Sequence, residues 1–180
     1  VNIYSFDLAD EKSCFILERS ENLEILTEKI GHGKYERLPE NLMGLSPSEK
    51  FDKSLELYDF PWIYSDGLLC TKNAYSLISE IIKNCGFWNK MTYKEEALYY
   101  FSTTICLDAL DQVKSKVIED DGMIFGVDKY VFKNLDYSKY PIFRLSLIPT
   151  DYPLVTEEFV GFVNKHDLKG LKFTLKGTVK

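Results

Sequence analysis

At 180 residues, with 45% hydrophobic and 28% charged side chains, the chain has the make-up of one globular domain. A domain of that size buries roughly 70% of the surface its unfolded form exposes, which argues against disorder and against any need for a disulfide or metal staple. A net charge of −6, a pI near 5.1 and the lack of any Lys/Arg run argue against nucleic-acid binding, which needs a basic face to neutralise phosphate.

In chain order, "VNIYSFDLA" and "SCFILER" predict two strands about the turn "DEKS". The opening has no basic n-region and no long apolar core, so no secretory signal is expected in it. No apolar run approaches the ~18 residues of a membrane span, so no membrane partner is expected. The stretch from residue 20 to about 60 is charged, punctuated by Gly and Pro, and weakly periodic, which predicts long connections. "DGLLCTKNAYSLISEIIKNCGF" holds the clearest helix: Thr71 as N-cap, Ala74, Leu77, Ile78, Ile81 and Ile82 at helical spacing, and Gly86 as the stop.

Residues 86–98, "GFWNKMTYKEEAL", give no assignment. "ALYYFSTTICL" is strand-like, rich in aromatic and β-branched residues without Gly or Pro. "GMIFGVDKYVFK" and "IFRLSLIP" predict two more strands. The second alternates Phe143, Leu145 and Leu147 against Arg144, Ser146 and Ile148. "PLVTEEFVGFVNKHDLKGLKFTLK" predicts a helix and a strand: Thr156 caps, Glu157 and Glu158 favour the positive end of the dipole, Phe159, Phe162 and Val163 form the stripe, and Gly170 breaks. The sum is an α+β fold over residues 1–180, a mostly antiparallel sheet with two main helices packed against it.

Candidate chemistry centres on "CLDALDQVKS", where an apolar run ends in Asp108 and Asp111, with Ser115 four residues further on. A hard metal wants more oxygen ligands than two carboxylates from one loop, and acid/base work wants two carboxylates in contrasting environments. The commoner role of such aspartates is to accept backbone N–H groups and hold a turn. His32, between two glycines in "GHGK", is a general base or an exposed loop residue, and His166 suits the end of a helix. No Gly-x-Ser-x-Gly, P-loop or Gly-x-Gly-x-x-Gly occurs, so neither a catalytic residue nor a cofactor is assigned. Cys14, Cys70, Cys85 and Cys106 match no metal or redox spacing and read as reduced cytoplasmic thiols, and no metal is expected.

Glu95 and Glu96 read as solvated charge, and "EDDG" as an acidic turn. Trp62 and Trp88 are core residues or interface anchors. Twelve tyrosines exceed what a core readily satisfies, so some should face a partner. Glu119, Asp120 and Asp121, with Tyr130 and Tyr137 close by in sequence, are the residues chosen for that surface.

Four segments, taken in order, resemble one family. They are "DGLLCTKNAYSLI", "YYFSTTICLDALDQVKS", "IFRL" and "PLVTEEFVGFVNKHDLKGLKF". The order of a capped helix, a Tyr-rich strand running into an Asp-x-x-Asp-x-x-x-Ser corner, a Phe-Arg strand, a second capped helix and Lys-Gly-Leu-x-Phe is similar to that of bacterial polymorphic-toxin immunity proteins, immunity-protein family eleven, first described as a domain of unknown function. The resemblance covers about residues 60–175 and departs at 86–98; residues 1–59 add little to it. It implies a non-enzymatic cytoplasmic inhibitor whose partner is a cognate toxin, and the −6 charge adds the expectation that the toxin is basic. It also implies that Asp108, Asp111, Ser115 and Arg144 are structural. Two alternatives remain open at this point: a small hydrolase using Asp108, Asp111 and His32, and a general protein-interaction module.

Overall fold

A computed structural model describes residues 1–9, 14–17, 45–47, 57–63, 67–93, 95–149 and 151–179. His32, most of the stretch expected to form long connections, and the side chain of Cys14 lie outside the described residues.

The fold is α+β and mostly antiparallel, as expected. The largest sheet runs β13 (Leu171–Thr178), β1 (Asn2–Leu8), β12 (Leu154–Thr156), β11 (Ile142–Leu145) and β8 (Cys106–Leu107). Only the β11–β8 pair is parallel in it. A second sheet runs β5 (Leu68–Thr71), β7 (Glu96–Thr103) and β6 (Gly86–Tyr93), all antiparallel. A third runs β3 (Leu45–Pro47), β2 (Cys14–Leu17) and β4 (Trp62–Ile63). Among the described residues, strands β9 (Lys116–Asp120) and β10 (Met123–Lys129) pair only with each other.

Helix α1 (Lys72–Ile82) follows β5 directly, and Thr71 is its N-cap, its Oγ1 accepting the Ala74 N–H at 3.5 Å. Its buried residues, Ala74, Ile78 and Ile82, recur every four positions, so they stack on one face. Helix α2 (Glu157–Lys165) buries Phe159 and Val163. Both stripes enter one core with Phe6, Phe60, Leu68, Cys70, Phe101, Ile142 and Val155. A second core on the other side of the large sheet joins Ile3, Ala109, Leu110, Tyr137, Phe143, Leu145 and Leu154. Burying a side chain of this size fully is worth about 1.5–3 kcal/mol, so these two clusters dominate the folding energy.

Several expectations need correction. Gly86 does not end α1; the helix stops at Ile82 and Gly86 opens β6. Only glycine fits there, because a Cβ would stand 2.0 Å from the Ser102 carbonyl oxygen. Residues 86–98, left unassigned, contribute β6 and the start of β7, which pair from Gly86↔Thr103 to Tyr93↔Glu96. The run "ALYYFSTTICL" divides into β7 and β8. Thr156 occupies the N-cap position of α2, but its hydroxyl makes no capping bond and is buried without a partner among the described residues. Glu157 contributes at that end by accepting the Asn2 N–H at 3.2 Å.

The predicted alternation in "IFRLSLIP" holds within the strand, where Phe143 and Leu145 share one core, but it does not run on to Ile148 and has no exposed face. Strand β11 stops at Leu145, and all four of its residues are buried. The cause is its position: β12 and β8 flank it, and both faces of the sheet are covered, with Ile142 in one core and Phe143 and Leu145 in the other. No helix among the described residues is long and apolar enough to cross a membrane.

Candidate functional site

The Asp-x-x-Asp stretch is a corner. After β8 the chain lies along residues 131–133: the Asp111 N–H donates to the Val131 carbonyl at 2.8 Å, and the Lys133 N–H donates to the Ala109 carbonyl at 2.8 Å. Asp111 Oδ1 accepts the Val113 and Lys114 N–H groups, both at 3.2 Å, and Oδ2 pairs with Lys114 Nζ at 2.9 Å. The Asp111 carbonyl accepts the Ser115 N–H at 2.8 Å. The Lys114 side-chain hydrogen bond, aided by its charge and by the two backbone donors, holds the Asp111 carboxyl below its ordinary pKa.

Asp108 behaves differently from the expectation of a backbone-bonded turn residue. Its exposed carboxylate pairs with Lys133 Nζ at 2.6 Å. The two aspartates therefore face separate lysines and do not share a site. Among the described residues no group of three or more His, Cys, Asp or Glu could hold a metal ion. His32, the third residue of the hydrolase alternative, lies outside the described residues.

Arg144 is buried to 1% exposure. Its Nε donates to the Thr103 carbonyl at 3.0 Å, and its Nη1 donates to the Pro149 and Asp151 carbonyls at 3.3 and 2.5 Å. One guanidinium thus ties the end of β7 to the chain that leads into β12, using the fixed fork that only arginine offers.

The surface chosen from the sequence divides. Glu119, Asp120 and Asp121 are exposed at the tip of the β9–β10 hairpin. Asp121 and Gly122, at φ 47° and 77°, form the two-residue loop between Asp120 and Met123; positive φ at both central positions is the turn that matches the twist of paired strands. Tyr137 is corrected: it is 1% exposed, packs on Phe143 at 5.6 Å between ring centroids, and donates its hydroxyl to the Lys133 carbonyl at 2.9 Å. Burial pushes its phenol up to about 12. Nearness in sequence misplaced it, because the Tyr137 side chain turns inward onto Phe143 while residues 134–136 before it stay exposed. Tyr130 is half-buried, stacked on Phe132, with Lys176 Nζ 5.4 Å from its ring centroid.

The hairpin also holds residues that the sequence reading passed over. Ile124 and Val127 pack against the second core, while Ile118, Met123 and Phe125 are 54%, 60% and 64% exposed. Single exposed apolar residues are ordinary, but three on one short hairpin beside three carboxylates make a local apolar and acidic surface. The available signal is the "DDG" turn flanked by Ile118, Met123 and Phe125. Lys116 and Asp128 pair across the base at 2.7 Å, and each holds the other's charged form.

No protein-family model and no curated protein matches the chain.

Proposed function

We propose that this chain is an immunity protein, a non-enzymatic cytoplasmic inhibitor that binds a basic cognate toxin and occludes its surface. The observation that carries the reading is the β9–β10 hairpin, which projects Ile118, Met123 and Phe125 beside Glu119, Asp120 and Asp121. Apolar anchors within a charged rim are the anatomy of a protein interface. The −6 net charge adds steering toward a basic partner. Further support comes from the ordered resemblance over residues 60–175 and from the corner, where the Asp111 carboxylate is engaged by backbone and Lys114 and that of Asp108 by Lys133.

Association kinetics with the product of the neighbouring gene test this. Glu119, Asp120 and Asp121 changed together to Ala are expected to slow association at low salt, and the defect is expected to shrink as salt screens the charges. Phe125→Ser is expected to speed dissociation instead. Unchanged rates in both variants would remove the hairpin from the interface.

A further inference from the structure

The two edges of the hairpin differ. Strand β10 carries both irregularities of the pair: successive β9 residues meet Ile124 and then Gly126, Val127 and then Lys129, so Phe125 and Asp128 are extra residues in β10. Bulges of this kind twist an edge and spoil it as a template for another strand. Strand β9 has none. Its five residues pair without a break, it holds no proline, and its one lysine, Lys116, is tied to Asp128 at 2.7 Å. Among the described residues no other strand pairs with it. Asp120↔Met123 closes the two-residue loop and is therefore a hydrogen-bonded pair. The alternation of an antiparallel ladder then turns the Val117 and Glu119 N–H and C=O groups away from β10, toward the free edge. Ile118, between them, is 54% exposed.

We propose that β9 is a docking edge: a strand of the basic partner adds to it and bonds the Val117 and Glu119 backbone, with an apolar residue opposite Ile118 and lysine or arginine opposite Glu119 and Asp120. Free strand edges recruit partners in this way, the main chain supplying affinity and the alternating side chains selectivity. An edge that is regular, apolar and unblunted is otherwise an aggregation hazard. The carboxylates select the occupant. Glu119 and Asp120 are exposed and carry no ion pair or side-chain hydrogen bond among the described residues. Like charges directly opposite destabilise a sheet and unlike charges support it, so an acidic strand is turned away and a basic one is favoured. A second copy of this chain would bring its own acidic tip, and the one lysine of its β9 is already held by Asp128. This inference rests on the reading of the chain as the acidic partner of a basic toxin, and it names how the hairpin engages that partner.

The test is amide hydrogen exchange on the isotope-labelled full chain, alone and with the unlabelled product of the neighbouring gene. In the complex the Val117 and Glu119 amides are expected to exchange at least tenfold more slowly, whereas those of Ile118 and Asp120, already bonded to β10, change less. Glu119→Pro removes one outward N–H and leaves the hairpin ladder whole, since proline is tolerated where the N–H of an edge strand faces solvent. It is expected to bind at least tenfold more weakly than Glu119→Ala, which loses the charge and keeps the N–H. Should Glu119→Pro fail to fold, the exchange rates of the unsubstituted chain decide. A complex in which both amides exchange as in the free chain overturns the proposal and leaves the immunity reading standing. So does a folded Glu119→Pro that binds as well as Glu119→Ala. Slow exchange of both amides that develops in the free chain as its concentration rises assigns the edge to a second copy and overturns the proposal too. No complex at all overturns both readings.

Discussion

Ser115 and Val131 are bonded to each other twice, sixteen residues apart: the Ser115 hydroxyl donates to the Val131 carbonyl at 3.1 Å and accepts the Val131 N–H at 3.0 Å. A side chain thus takes the place of a strand partner just where the hairpin leaves the body of the protein. Ser115→Ala removes both bonds. Net contributions of about 0.5–1.5 kcal/mol each for such bonds give an expected loss of about 1–3 kcal/mol, read as a lower urea midpoint at unchanged slope. An unchanged midpoint would mean that the corner does not depend on this pair.

Asp111 makes the acid limb of stability testable. Its carboxyl pKa is lowered in the folded protein, first by the Lys114 side-chain hydrogen bond and also by the backbone donors of Val113 and Lys114. A lowered folded value means stability that is present above the unfolded value of about 3.9 and lost as pH falls through the folded one. Asp111→Asn keeps the acceptor oxygen and removes the charge. The wild-type protein is expected to be the more stable at neutral pH, with the gap closing as pH drops below the ordinary carboxylate range. A gap that does not change with pH would show that the charge contributes nothing.

Arg144 serves three carbonyls from inside the protein. Hydrogen bonds from a charged donor are worth about 1.5–3 kcal/mol each, and the buried acceptors left behind carry their own cost. Arg144→Met is expected to lose about 3 kcal/mol or more in chemical denaturation. Arg144→Lys is expected to recover less than half of that, since one ammonium cannot reproduce the Nε and Nη1 donors. Full recovery by lysine would show that charge alone is needed.

The thiols separate by access. Cys70 and Cys85 are buried, Cys106 is exposed, and all three are free. Burial raises each of their pKa values, with the Arg144 charge opposing the rise at Cys106. In the native protein a thiol reagent is expected to label Cys106 first and to reach Cys70 and Cys85 only on unfolding. Under denaturing, non-reducing conditions four free thiols are expected, Cys14 included. Native labelling of Cys70 as fast as Cys106, or a count of two, would contradict this.

Local signals carried the helices, and tertiary placement hid much of the rest. Thr71 and the recurrence of Ala74, Ile78 and Ile82 are written into one cap residue and the eleven-residue helix that follows it, so α1 was legible. Strand β6 was not: its fully buried positions are Asn89 and Met91, and a polar residue on the inward face blurs the period of two. The burial of Arg144 could not be read from β11 alone, since it depends on β8 and β12 closing around that strand. The aspartate corner was legible because Asp111 acts on residues two and three positions away. Its contact with Val131 was not, and neither was the inward turn of Tyr137. At the hairpin the acids were read correctly as a turn, whereas Ile118, Met123 and Phe125 needed the register before their exposure could be seen.

The most direct measurement of the central claim is a titration of the neighbouring gene's product, assayed for toxic activity, with the intact protein. The immunity reading predicts stoichiometric loss of that activity and a complex that survives pull-down and gel filtration. Toxic activity that persists at excess inhibitor, with no complex formed, would contradict it.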